Sequence, residues 1–206
     1  MKLMMFENGG AARLGIVEGE TIIDLSACGA VVPETLQHLI EAGPDGLSPI
    51  SEAARTAPDS ARLSLGSIRP ALPLPQPGKF ICVGLNYALH AKEGGHDIPT
   101  YPSLFVRWPT SLLAAEAPVI RPKVSEQLDY EGELTIVIGK GGRHIAEKDA
   151  LGHVFGYTIF NDVSVRAYQR KTNQWTPGKN FDGTGPLGPL VVTADALPPG
   201  ASGLRI

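Results

Sequence analysis

Two carboxylates, Glu131 and Glu133, stand two residues apart in Leu128-Asp129-Tyr130-Glu131-Gly132-Glu133-Leu134, just before the strand-forming run Thr135-Ile136-Val137-Ile138. Side chains alternate along a strand, so Glu131 and Glu133 share one face, and Tyr130, Leu134, Ile136 and Ile138 share the other. Like charges brought together out of water raise each other's pKa or demand a cation. Asp162, in Asn161-Asp162-Val163-Ser164 at the end of a second strand-forming run from Leu151 to Phe160, offers a third oxygen donor. With no Cys or His nearby, the ion suited to such donors is hard: Mg²⁺ or Mn²⁺, with Ca²⁺ as the outsider. Three protein ligands leave positions for water and substrate. The same spacing also admits a solvated strand face with Asp162 as a turn residue, and spacing alone does not decide.

A second constellation is His90 with Glu93. Asn86 fits as the N-cap of a short helix running through Glu93, and a separation of three puts both side chains on one helix face, within reach of a shared water. Two glycine motifs carry less. Gly183-Thr-Gly-Pro-Leu-Gly188 matches a dinucleotide pattern, but Pro186 and Pro189 oppose the helix that would receive a pyrophosphate. Gly139-Lys140-Gly141-Gly142-Arg143 lacks the Ser or Thr of a Walker loop and reads as a turn.

The elements that must position these groups are short. Residues 2–6, 12–17 and 21–25 read as strands of a meander, separated by Asn8-Gly9-Gly10 and Glu18-Gly19-Glu20. Leu36, Leu39 and Ile40 fall at helical spacing behind Pro33-Glu34-Thr35, with Gly43 placed to end the helix. Residues 70–78 alternate proline with apolar residues, which predicts an extended, semi-rigid linker. The chain therefore divides into a small N-terminal module (1–70), a Pro-rich linker (71–79) and a main domain (80–206). That domain opens on Lys79-Phe80-Ile81-Cys82-Val83-Gly84, a buried-strand pattern. Ser164 is expected to cap a helix carrying Arg166 to Gln169.

Composition bounds what such a site serves. The 24 Gly and 18 Pro in 206 residues favour turns and short elements, hence a β-rich fold. A formal charge of −3 without a basic stripe argues against nucleic acid. No apolar run approaches the length of a membrane span, and the N-terminus is too short an apolar stretch for a secretory signal. With only Cys28 and Cys82, read as inert thiols, the expected home is the reducing cytoplasm.

Taken together and in order, several runs resemble the fumarylacetoacetate hydrolase family: Ile81-Cys82-Val83-Gly84-Leu85-Asn86-Tyr87 with His90-Ala91-Lys92-Glu93, Asp129-Tyr130-Glu131-Gly132-Glu133-Leu134, Gly156-Tyr157 through Ser164, and Gly178-Lys179-Asn180-Phe181-Asp182 before Gly185-Pro186-Leu187-Gly188-Pro189. The match covers about residues 70–195. It implies a mainly β fold with some α, a mixed β-sandwich or β-roll behind a small N-terminal α+β module. It also implies a divalent metal, a homodimer, and a small oxo-acid or diketo-acid substrate. Residue by residue, it casts Glu131, Glu133 and Asp162 as metal carboxylates, His90 and Glu93 as a water-activating dyad, Lys179 as the active-site lysine, and Tyr87 and Arg107 as substrate contacts.

Two departures accompany the match. Arg107 stands where many relatives carry lysine, replacing a compact ammonium by a planar fork. Family members usually continue some tens of residues past Leu190-Val191-Val192-Thr193, so a domain ending at Ile206 is expected to be truncated at its C-terminus. The leading expectation is a metal-dependent hydrolase cleaving a C–C bond in an acylpyruvate-like 1,3-diketo acid, as in aromatic catabolism. An oxo-acid decarboxylase or keto–enol isomerase using the same metal is the alternative, and a non-catalytic metal- or partner-binding fragment is the third reading.

Overall fold

The structure is a computed structural model that describes residues 1–93, 95 and 97–197, with the side chains of His90 and Glu93 outside the described residues. The chain opens with the expected meander, β1 (Lys2–Glu7), β2 (Arg13–Glu18) and β3 (Thr21–Asp24). In β1, Leu3 and Met5 enter one apolar cluster while Met4 and Phe6 enter another, so the strand is buried on both faces and its apolar run is continuous. Helix α1 (Leu36–Glu41) forms where the spacing places it, with the Thr35 hydroxyl accepting from the His38 N–H at 3.1 Å.

Helix α2 (Leu47–Arg55) is absent from the sequence expectation. Pro44, Gly46 and Pro49 read as breakers, but Pro49 falls in the first turn, where a missing N–H costs nothing. Ile50, Ala53 and Ala54 then recur at helical spacing and join Leu36 and Leu39 against the sheet.

After β4 (Arg62–Ser64) and β5 (Arg69–Pro70), the Pro-rich stretch is packed, with Leu74 against the first cluster and Leu72 against a third formed by Leu112, Phe160 and Leu187. The segment expected as an extended, semi-rigid linker is thus anchored on the core at Ala71, Leu72 and Leu74. Among the described residues, strands β6 (Ile81–Gly84) and β7 (Ser103–Val106) pair only with each other, and Ile81 and Val83 are exposed, contrary to the buried-strand reading. Helix α3 (Ala88–Glu93) lies between them. Next come β8 (Leu112–Ala114), β9 (Leu128–Asp129), β10 (Gly132–Ile138), β11 (Val154–Asn161) and β12 (Ser164–Val165). The chain ends its described part with α4 (Arg166–Gln169), α5 (Thr176–Lys179), β13 (Gly185–Leu187) and β14 (Leu190–Thr193).

One ten-stranded sheet runs β4-β3-β2-β1-β14-β11-β13-β8, with β10 also on β11 and β5 on β1. It is mixed, since β13 pairs β8 in parallel and the other pairs are antiparallel, and it is open, not a closed barrel. The architecture is mainly β with some helix. The N-terminal strands belong to this sheet because β1 pairs β14 through Leu3 and Val191, so the module and the main domain share a sheet and a core. Among the described residues, no helix is long and apolar enough to cross a membrane.

The alternation along β10 holds, but its apolar side is the exposed one: Leu134, Ile136 and Ile138 are 43%, 52% and 58% exposed, while Glu133, Thr135 and Val137 turn inward.

Candidate active site

The antiparallel β10–β11 pair assembles the carboxylates. Its register sets Gly132 opposite Asn161, which brings the ends of two segments thirty residues apart into contact. There the Asp162 N–H donates to the Glu131 carbonyl at 2.8 Å, and the Asn161 side-chain oxygen accepts from the Glu131 N–H at 3.1 Å. Ser164 does not cap a helix as expected. It lies in β12, paired with Asp129, and its hydroxyl reaches Glu131 Oε1 and the Asp162 carbonyl, both at 3.1 Å.

Lys179 arrives at the end of α5, which packs so tightly on α4 that a Cβ on Gly178 would stand 2.4 Å from the Gln169 nitrogen. Asn180 anchors the following turn, accepting from the Trp108 N–H at 2.7 Å and donating to the Val106 carbonyl at 2.9 Å. Held there, the buried Lys179 ammonium lies 2.7 Å from Glu131 Oε2 and 2.6 Å from Asp162 Oδ2, with the Phe105 ring 5.2 Å away.

Glu131 and Glu133 sit in different fields. Burial opposes ionisation of Glu131, but Lys179 and Arg166 outweigh it and hold the carboxyl below its ordinary range. Arg166 contacts Glu131 Oε1 directly and also grips Asp129 Oδ2 at 2.7 and 2.9 Å. Among the described residues Glu133 has no ion-pair partner, and burial pushes it up to about 7, the Tyr87 hydroxyl and the more distant Lys179 opposing while Asp162 and Glu131 add to the rise. Burial also pushes Asp162 up, against the pull of Lys179 and Arg107.

These groups line one cleft of about 1210 Å³, walled in part by Phe80, Tyr87, Phe105, Arg166, Gln169 and Trp175. Tyr87, expected at the substrate, is on this wall, with its hydroxyl accepting from the Leu134 N–H at 3.3 Å. Arg107 is placed otherwise: it is 2% exposed, stands behind Asp162, and does not face the cleft. Burial excludes the direct substrate contact expected of it. His90 and Glu93 belong to α3, which begins directly after the wall segment that ends at Tyr87, and their side chains lie outside the described residues.

Arg166 and Gln169 were not singled out from the sequence as site residues. The one available signal was their place on the first turn after the Asp162 strand end.

All-oxygen donors around a half-buried, unneutralised Glu133 fit a hard divalent cation. Among the described residues no three side chains already cage an ion, and the Lys179 ammonium stands between Glu131 and Asp162. The fit is therefore one of donor chemistry, with a lysine that must yield space.

The family model described as fumarylacetoacetate (FAA) hydrolase, C-terminal, matches residues 79–206. A mitochondrial oxaloacetate tautomerase of Xenopus laevis is 38% identical over 205 residues, covering 96% of this chain and 63% of its own length, so the chain spans under two thirds of that relative. Among solved structures, fumarylacetoacetate hydrolase from Exiguobacterium antarcticum superposes with a TM-score of 0.78 at 38% identity, covering 97% of this chain and 69% of that one. Maleylpyruvate hydrolase from Sphingobium sp., in complex with manganese(II) and pyruvate, gives 0.77 at 30% identity, covering 96% and 69%.

Proposed function

Because this chain belongs to the fumarylacetoacetate hydrolase family, we propose that it is a divalent-metal-dependent enzyme that interconverts the keto and enol forms of a small oxo dicarboxylic acid of the oxaloacetate kind. The observation that carries the reading is the Lys179 ammonium set between Glu131 and Asp162, beside a Glu133 that has no ion-pair partner among the described residues. Interconversion of this type passes through an enolate, so its barrier falls when positive charge is already in place where the oxygen becomes negative.

Glu131, Glu133 and Asp162 would hold Mg²⁺ or Mn²⁺, which when bound supplies Lewis-acid charge against the enolate. Lys179 contributes a second donor once it has made room for the ion: its Nζ is buried, it is flanked by the Phe105 ring, and it points at the same carboxylates. Arg166 and Gln169 offer a guanidinium and an amide on the cleft wall to orient a substrate carboxylate. In this proposal His90 and Glu93, cast as a dyad by the family resemblance, are the proton-moving pair: the imidazole takes the proton from the carbon next to the carbonyl and delivers it to the enolate oxygen.

The second reading is hydrolysis of an acylpyruvate-like diketo acid, in which the same His90–Glu93 pair takes its proton from water. The likeness to a maleylpyruvate hydrolase that holds manganese and pyruvate favours it. The relative at 38% identity over 96% of the chain puts tautomerisation first.

The test follows the ultraviolet absorbance of enol oxaloacetate with Mg²⁺ or Mn²⁺ present, and in parallel the release of pyruvate from acylpyruvates. Accelerated enol decay that is lost in Glu131→Ala and in Lys179→Met is the expected result. Pyruvate release with enol decay at its uncatalysed rate would instead establish the hydrolase.

A further inference from the structure

Arg107 is buried where no substrate can reach it, yet each of its guanidinium nitrogens is engaged. Nη1 donates to Asp162 Oδ1 at 3.0 Å and to the Val163 carbonyl at 3.1 Å, Nε to Ser111 Oγ at 3.2 Å, and Nη2 to Thr184 Oγ1 at 3.3 Å. Its carbon lies 5.2 Å from the centre of the Phe160 ring. A Cβ at position 185 would come within 2.5 Å of Nη2, so Gly185 leaves the space the fork occupies. A planar group held at four points has one orientation.

That orientation divides the two oxygens of Asp162. Oδ1 turns back to Arg107, whereas Oδ2 faces Lys179 in the cleft at 2.6 Å. A cation held by both oxygens would have to approach the guanidinium through the oxygen that already accepts from it, against like charge in a buried setting. A cation held by Oδ2 alone keeps clear of the guanidinium and meets the Lys179 ammonium instead, whose flexible four-carbon stem can swing aside where the Arg107 fork, held at four points, cannot. Carboxylates that bind through both oxygens are common around Ca²⁺, which takes six to eight ligands, whereas Mg²⁺ demands a near-ideal octahedron of single-oxygen contacts.

From this geometry we infer that Arg107 is a positioning residue that restricts Asp162 to one-oxygen coordination and so biases the site toward small six-coordinate cations over Ca²⁺. The inference rests on the metal reading proposed above.

The test is calorimetric titration of Mg²⁺, Mn²⁺ and Ca²⁺ into the wild-type chain, Arg107→Gln, Arg107→Lys and Glu131→Ala, with the melting temperature of each as a check on folding. In Arg107→Gln the affinity for Ca²⁺ relative to Mg²⁺ is expected to rise about tenfold or more, the range in which outer partners tune metal sites. Arg107→Lys, which keeps the charge but loses the fork, should fall between. A folded Arg107→Gln whose Ca²⁺ to Mg²⁺ ratio matches wild type overturns the inference while leaving the metal site standing. Wild-type binding that is absent, or that survives Glu131→Ala, strikes the metal reading and this inference with it. Should Arg107→Gln fail to fold, a crystal structure of the Mn²⁺-loaded wild type decides. One Asp162 oxygen on the ion and the other on Arg107 supports the inference, and both oxygens on the ion overturns it.

Discussion

Lys179 Nζ and Asp162 Oδ2 meet at 2.6 Å with both side chains almost fully shielded from solvent, so a buried ammonium neutralises a buried carboxylate that Arg107 already supports from behind. Removing one partner of such a pair leaves an uncompensated charge, at a cost of about 3–5 kcal/mol. Lys179→Met is therefore expected to lower the melting temperature of the metal-free protein substantially. Because the ammonium stands between Glu131 and Asp162, Mn²⁺ should raise the melting temperature of this variant by more than it raises that of wild type. Thermal denaturation of both proteins with and without the ion checks this, and equal metal-induced shifts would count against Lys179 sharing the ion's place.

Glu133 gives the site its pH dependence. Its folded pKa of about 7 lies above the ordinary 4.5, so the folded state binds the proton more tightly than the unfolded one. Stability contributed by this group is therefore full below pH 4.5 and is lost as pH rises through 7. Glu133→Gln should flatten that slope in metal-free protein, which denaturant titrations across the range would read. A metal ion needs the ionised form, so Mg²⁺ affinity should weaken about tenfold for each unit below pH 7 and level off above it. Calorimetric titration on either side of neutrality measures the change directly.

The seam between α4 and α5 admits no side chain at position 178. A Cβ there would stand 2.4 to 2.6 Å from the backbone nitrogen, Cα and Cβ of Gln169. Gly178→Ala should push α5 away, cost about 1–3 kcal/mol as overpacking does, and displace Lys179 with it. The expected signature is a folded protein of lowered melting temperature whose turnover falls far more than its metal affinity, since none of the three carboxylates lies on α5.

Leu134, Ile136, Ile138 and Ile159 form an exposed apolar surface on paired strands, with Leu134 directly opposite Ile159. Among the described residues β10 pairs only with β11, which leaves its other edge open. An apolar face beside an open edge is a site of self-association. Light scattering of the chain as given should show a mass above that of one copy, and Ile136→Lys should lower both that mass and the binding of a hydrophobic dye.

Much of the site could be read from residue types. Glu131, Glu133 and Asp162 stood out as paired carboxylates before an apolar strand with an Asp at a strand end, but spacing left a solvated face open as well, and only the family resemblance cast them as metal carboxylates. The inward turn of Glu133 was less accessible. Alternation predicts that Glu133 and Ile136 face opposite ways, but it does not say which way is inward, and the usual rule would have buried Leu134, Ile136 and Ile138. The structure inverts that rule on β10, where Glu133 and Val137 turn inward and Leu134, Ile136 and Ile138 form the exposed side.

Local physics was therefore enough for the strands of the opening meander, for helix α1 with its Thr35 cap and for the short-element β-rich class. Each depends on residues a few positions apart, and propensity, capping and alternation act over that range. Tertiary structure alone decided that β1 joins β14, that Arg107 supports Asp162 from behind instead of meeting substrate, and that the Lys179 ammonium sits between two carboxylates. Those outcomes depend on pairings across 17 to 192 positions of chain, such as Lys179 with Asp162 or Met1 with Thr193, whose energies exist only once the sheet has formed.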